Sequence, residues 1–151
     1  MRLWKISSYN TPMLVLKFLL YPVGLHTVAL GVVHFFFAKL LDFRAAIPFE
    51  GPTLKPFRLF GIFYQTKRSD VHGIASVMNH TVSYVIVTIG VLDLLWTLWL
   101  GTPIGRILCI WIAGFWWLRA SSQFYLGRRR GDWLIFIWFA TLGLLHLALI
   151  F

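Results

Sequence analysis

Long apolar runs separated by short polar breaks divide the chain into four hydrophobic stretches, at about residues 13–41, 80–100, 104–122 and 133–151. At a rise of about 1.5 Å per residue each reaches across a hydrocarbon layer of about 30 Å, so each predicts a membrane-spanning helix. Polar positions within them follow a helical period. On a helix over residues 71–100, at about 100° per residue, His72, Ser76, Asn79, Ser83, Gly90, Asp93 and Thr97 fall within about 60° of a common line. His80 lies at about 80° from that line, and Val, Ile, Leu and Trp cover the opposite side. A helix patterned this way turns its polar edge to protein or water and its apolar edge to lipid.

The first stretch carries a second pattern. Gly24, Thr27, Gly31, His34 and Ala38 share one side of a helix, a small-residue seam of the kind that lets two helices approach closely in lipid. His26 lies at its margin, and Pro22 is placed to kink the helix. This first run continues without a small-residue cleavage site, which predicts a retained span rather than a signal segment. Ahead of it, residues 1–12 form a short polar lead in which Trp4 and Tyr9 suit a membrane interface.

Residues 42–70 form the one sizeable extramembrane segment. Pro48, Pro52 and Pro56 forbid a long helix in its first half. The second half, FRLFGIFYQTKR, mixes basic and aromatic residues and suits the headgroup layer. A tight Gly101-Thr102-Pro103 turn makes the second and third spans an antiparallel hairpin, and YLGRRRGD, residues 125–132, forms a basic loop before the last span. The resulting fold is an all-α integral membrane protein, a four-transmembrane-helix bundle forming a single four-span domain.

Composition agrees with this architecture. Hydrophobic residues make up 59% of the 151 and charged residues only 13%, against about 25% charged in soluble domains. The net charge of +9 does not indicate nucleic acid, because the basic residues lie between apolar runs rather than on one face. They report topology instead. The loops after spans 1 and 3 hold Lys39, Arg44, Lys55, Arg58, Lys67, Arg68, Arg119 and Arg128 to Arg130, against Arg2, Lys5, Lys17 and Arg106 on the other side. The positive-inside rule then places both termini on the non-cytoplasmic side, in a bacterial cytoplasmic membrane or an organellar inner membrane, with the basic loops facing anionic headgroups.

Two clusters could carry chemistry. Near the outer ends of spans 2 to 4 lie Asp93, Arg106 and His146, read as a structural ion pair between Asp93 and Arg106 or as a proton site that includes His146. Near the cytoplasmic ends lie His34, His72, His80 and Arg119, with Gln123 beside them. Two histidines at matched depth on different helices are what a b-type haem requires, and His34 with His80 is the pair that meets this description, with arginines for the propionates. A quinone is the other ligand such a site suits.

Other chemistries lack their residues. The single cysteine, Cys109, excludes an internal disulfide and a cysteine-based metal site. Glu50 is the only glutamate and lies in a loop, which argues against a dinuclear carboxylate centre. Ser76, Ser83, Ser121 and Ser122 sit in no nucleophile motif, and no phosphate-binding or dinucleotide fingerprint occurs. Trp111 and Trp138 fall deep within spans, where tryptophan packs against neighbouring helices, subunits or bound lipid-soluble molecules.

In span count, length and the short turn after the second span, the chain resembles the small four-span bacterial membrane proteins grouped as DoxX-like. The resemblance extends to no residue motif, so it carries no function over. The reading that follows from the sequence is a small polytopic protein without its own catalytic constellation, acting as an accessory or anchoring subunit of a larger membrane complex. The alternatives are an electron-transfer anchor binding haem b or quinone through histidines on spans 1 and 2, and a small proton-coupled transporter using Asp93.

Overall fold

The computed structural model describes residues 11–125 and 130–151, so the polar lead with Trp4 and Tyr9, and the arginines Arg128 and Arg129, lie outside the described residues. The described chain is mostly helical. Its elements are α1 (Thr11–Phe35), the one-turn helices α2 (Phe37–Leu40) and α3 (Phe43–Ala46), strands β1 (Phe57–Leu59) and β2 (Ile62–Tyr64), α4 (Arg68–Leu94), a 3₁₀ turn at Trp96–Leu98, α5 (Pro103–Ser121), a 3₁₀ turn at Ser122–Tyr125, and α6 (Arg130–Ala148). Met13–Phe35, Arg68–Leu94 and Gly131–Ala148 are each long and apolar enough to cross a membrane. Helix α5 is not among these three, because its 19 residues include Arg106, Arg119 and three tryptophans.

Burial departs from that of a water-soluble domain on both sides. Thr27, His34, Asn79, Ser83, Asp93, Gln123 and His146 are buried beside apolar residues such as Leu20, Ile86, Ile112 and Trp116, while large apolar side chains on every long helix, among them Phe18, Val77, Ile110 and Ile137, are exposed. Buried polar groups need partners and exposed apolar ones need a non-aqueous surround, so this distribution matches the three apolar helices.

The chain divides into two compact units, one comprising Val23–Leu92 and the other the chain up to Pro22 together with Asp93–Phe151. In the Val23–Leu92 unit, α1 and α4 meet along small residues. A Cβ on Gly31 would lie 2.6 Å from Val87 Cγ2 and 2.8 Å from the Val87 nitrogen, and one on Gly90 would lie 2.7 Å from the Val28 nitrogen and 2.8 Å from the Gly24 carbonyl oxygen. Only glycine fits where backbone opposes backbone at this range. Of the seam expected on the first helix, Gly24, Thr27, Gly31 and His34 are buried, while Ala38 lies beyond α1, in α2, and is half-buried. Of the expected polar edge, Asn79, Ser83, Gly90 and Asp93 are buried, His72 and Ser76 are half-buried, and Thr97, beyond the end of α4, is exposed, as is His80 at the margin.

Several boundaries differ from the sequence expectation, among them the end of the second span, where α4 stops at Leu94 and a 3₁₀ turn follows in place of helix to residue 100. The first helix stops at Phe35 rather than continuing to residue 41, breaking at Phe36 (φ −86°, ψ 0°) before α2. The run Phe35-Phe36-Phe37 is a weak helix former, and the Phe35 carbonyl finds a partner outside its own helix. Helix α4 starts at Arg68, ahead of residue 71, because the Asp70 carboxylate accepts the Lys67 N–H at 2.8 Å, half of a capping box. The segment 42–70 contains regular structure, namely α3, capped by Asp42 in the left-handed region (φ 44°), and the β1–β2 hairpin.

In the other unit, α5 and α6 pack along their lengths. Trp116 stacks on Phe139 with centroids 5.3 Å apart, and the missing Cβ of Gly143 leaves room for the Trp117 indole. Ahead of α5, Gly101 adopts φ +87°, and the Thr102 hydroxyl donates to the Trp99 carbonyl at 2.7 Å while accepting the Gly105 N–H at 2.9 Å. This cap, followed by Pro103 at the first helical position, sets the start of α5.

Candidate functional site

The polar residues gather at two places, one in each unit. In the unit containing α5 and α6, Asp93 from the last turn of α4 meets His146 from the last turn of α6. His146 Nε2 lies 3.0 Å from Asp93 Oδ1, and both side chains are fully buried. The other ring nitrogen, Nδ1, lies 2.8 Å from the Leu142 carbonyl. A carbonyl oxygen only accepts, so Nδ1 carries a hydrogen. The Nε2–Oδ1 contact then holds one further proton. Placed on nitrogen it makes imidazolium and carboxylate, and placed on oxygen it makes imidazole and carboxylic acid, so the pair has zero net charge either way. The second carboxyl oxygen, Oδ2, is buried without a hydrogen-bond partner among the described residues.

The sequence placed Asp93, Arg106 and His146 in one cluster, read as an Asp93–Arg106 ion pair or as a proton site that includes His146. The structure pairs Asp93 with His146, and Arg106 is exposed at the start of α5. The preference has a physical reason. A histidine can share a proton with the acid and remain neutral overall, whereas a guanidinium requires a permanent buried charge on each partner.

In the Val23–Leu92 unit the polar contacts bridge α1 and α4. Asn79 Nδ2 donates to the Phe35 carbonyl at 3.2 Å, satisfying one of the acceptors left open where α1 ends. The Ser83 hydroxyl donates to the Asn79 carbonyl at 2.7 Å, so its oxygen accepts from His34 Nδ1 at 3.0 Å. His72 Nδ1 donates to the Ile47 carbonyl at 3.0 Å, holding the chain after α3 against the first turns of α4. These bonds place His34, 8% exposed, inside the helix contact.

His80 is different. It is exposed, stacks on Phe35 with centroids 4.6 Å apart, and lines an open groove of about 370 Å³ with Gly31, Val32, Phe36, Ser83 and Tyr84. Among the described residues no charged side chain lines this groove, and His34 is not among its lining residues, so the groove itself presents the His80 imidazole while His34 Nδ1 is engaged by Ser83. Arg119 belongs to the other unit, with its guanidinium 5.7 Å from the centre of the Phe139 ring.

Two participants were missed in the sequence. Tyr84 carries a signal that was available, its spacing of four residues from His80, which puts both on one helix face. The bond from Asn79 to the Phe35 carbonyl had none, because it depends on where α1 breaks.

No protein-family model, curated protein or solved structure matches the chain. The likeness in span count and length to DoxX-like proteins thus brings no family assignment.

Proposed function

We propose that the protein is a four-span integral membrane bundle, with α5 as the fourth span, that serves as an accessory or anchoring subunit of a larger membrane complex. The observation that carries this reading is the outward face of α5 and α6. Ile107, Ile110, Trp111 and Leu118 on α5, and Leu134, Ile137, Trp138 and Leu144 on α6, are all exposed. Large aromatic side chains at mid-helix suit a protein neighbour, since Trp is enriched among the residues that carry most of the binding energy at protein–protein interfaces. The inward polar groups support the same reading, because His34, His72 and His146 are each held by an internal hydrogen bond. Gentle extraction in detergent followed by affinity purification tests the proposal. A stoichiometric companion polypeptide, lost when Trp111 and Trp138 are both changed to Leu, is the expected result, and a preparation free of companions under every mild condition rejects it.

The groove favours a second reading, a site for a neutral lipid-soluble ligand of the quinone class. Ligand sites are mostly apolar with a few placed polar groups, and a groove with His80 and Tyr84 at its wall and no charge fits a carbonyl-bearing ring rather than an anion. Extracting the purified protein with organic solvent and assaying the extract for quinone tests this reading.

A further inference from the structure

The β1–β2 hairpin stands out because, among the described residues, it packs on no core and is held only by its own contacts, among them the Phe57 ring stacked on Tyr64 with centroids 5.4 Å apart. Its strands are three residues each, paired Phe57 with Tyr64, Arg58 with Phe63 and Leu59 with Ile62, and all six residues are exposed. A two-stranded hairpin without a core to pack on is marginal in water. Its turn works against it as well. Phe60 and Gly61 both take positive φ, 47° and 82°, the geometry of a two-residue turn that favours Asn-Gly, and a bulky aromatic is a poor occupant of the first position. Phe60 is 94% exposed there. An aromatic ring held at the tip of a hairpin, in a conformation it disfavours and against none of the described residues, is suited to an apolar surround from elsewhere.

The charge pattern identifies that surround. Between Glu50 and Asp70 the chain carries Lys55, Arg58, Lys67 and Arg68 and no acidic residue. The Arg58 side chain donates to the Gly61 carbonyl at 3.2 Å and lies 5.1 Å from the centre of the Phe63 ring, so the cation is folded back beside the aromatics instead of pairing with a protein carboxylate. Leu54 N–H donates to the Thr66 carbonyl at 3.1 Å, and Gln65 donates to the Leu54 carbonyl at 2.8 Å, tying the base of the hairpin close to the start of α4. Aromatic rings interleaved with cations, close to the end of an apolar helix, complement the interface of a bilayer whose headgroups are anionic.

We infer that residues 57–64 form a membrane-surface anchor, with Phe60 inserted among the acyl chains and Lys55, Arg58, Lys67 and Arg68 neutralising anionic phospholipid headgroups. The inference rests on the membrane-embedded reading above and needs no partner subunit. The hairpin takes its order from the lipid, and its strained tip is tolerated because the ring buries apolar surface there.

Amide hydrogen exchange on the full-length protein tests it, comparing phosphatidylcholine vesicles with and without phosphatidylglycerol. Resistance of the protein to alkaline extraction from both vesicle types is checked first, so that failure of membrane embedding registers separately. Exchange at 57–64 is expected to slow about tenfold when phosphatidylglycerol is present, and to lose that difference at high salt. The variant Phe60→Asn discriminates, because asparagine suits the positive φ and strengthens the turn in isolation. A lipid-held hairpin exchanges faster in Phe60→Asn, whereas a self-held hairpin exchanges more slowly. Protection that is equal in both vesicle types, or that rises in Phe60→Asn, or that appears with inorganic phosphate in detergent alone, overturns the inference.

Discussion

His146 and Asp93, 53 residues apart in the chain, meet at 3.0 Å with neither side chain exposed, and the other nitrogen of the same imidazole is engaged by the carbonyl one helical turn back. A pair of this kind costs little while intact and a great deal when halved. His146→Ala leaves a buried carboxyl without its partner and is expected to lower stability by about 3–5 kcal/mol. The double variant Asp93→Leu with His146→Leu removes both polar groups and is expected to recover most of that loss. Thermal unfolding in detergent, followed by size-exclusion chromatography, measures both, and equal losses in the single and double variants would contradict the pairing.

The glycine contacts between α1 and α4 predict a sharp positional contrast. Gly90→Leu drives a side chain into the Val28 and Gly24 backbone, which has no rotamer by which to yield, and is expected to cost about 3 kcal/mol or more. Gly114→Leu, at a position with nothing within 4 Å, is expected to leave stability unchanged or slightly raised. Comparing the melting temperatures of the two variants decides the matter.

The chain of bonds from His34 through Ser83 and Asn79 to Phe35 predicts a modest but coupled effect. Interhelical hydrogen bonds in membrane proteins are worth about 0.6 kcal/mol on average and about 1.7 at most. Asn79→Leu and Ser83→Ala are each expected to fall in that range, and the double variant to lose less than their sum, since each removes support for the same helix contact. Strict additivity would show the two bonds to be independent.

Ligand chemistry separates the two histidines that the sequence placed together. His80→Leu and Tyr84→Phe are expected to lower quinone retained by the purified protein by about fivefold each, the worth of one hydrogen bond. His34→Ala is expected to lower stability while leaving retention at the level of the folded fraction. An absorption spectrum with a Soret band abolished by both His34→Ala and His80→Ala would instead support the haem reading.

Part of this architecture was readable because long apolar helices obey a simple rule of angle. Gly24, Thr27, Gly31 and His34 on α1, and Asn79, Ser83, Gly90 and Asp93 on α4, are buried on the sides their spacing marked, whereas His72 and Ser76 are half-buried and Thr97 falls beyond the helix and is exposed. Periodicity gives the face of a helix but not what that face meets. Depth placed Asp93, Arg106 and His146 in one cluster, with Arg106 as the ion-pair partner and His146 as the proton-site alternative; the contact is with His146, 53 residues away, and no angular argument chooses between the two. Likewise His34 and His80 have similar depths, yet their angles around their own helices put one in the contact and the other on the groove. The hairpin was hidden by its composition, for a three-residue strand leaves no alternation to detect, and Phe at the turn lacks the Asn-Gly signal.

The inward placement of polar and small residues has a consequence for how this chain is free to vary. Its fold is specified by a sparse code, Gly24-x₂-Thr27-x₃-Gly31-x₂-His34 on one helix, Asn79-x₃-Ser83-x₆-Gly90-x₂-Asp93 on another, and His146 on the last. Buried apolar positions such as Leu20, Ile86, Ile89, Ile112 and Trp116 add a packing requirement of their own, and only at the exposed positions of the long helices is the requirement an apolar surface that Leu, Ile, Val and Phe meet interchangeably. Substitution among apolar residues is therefore tolerated on the exposed faces, while the glycine contacts and the buried polar pairs leave no such freedom.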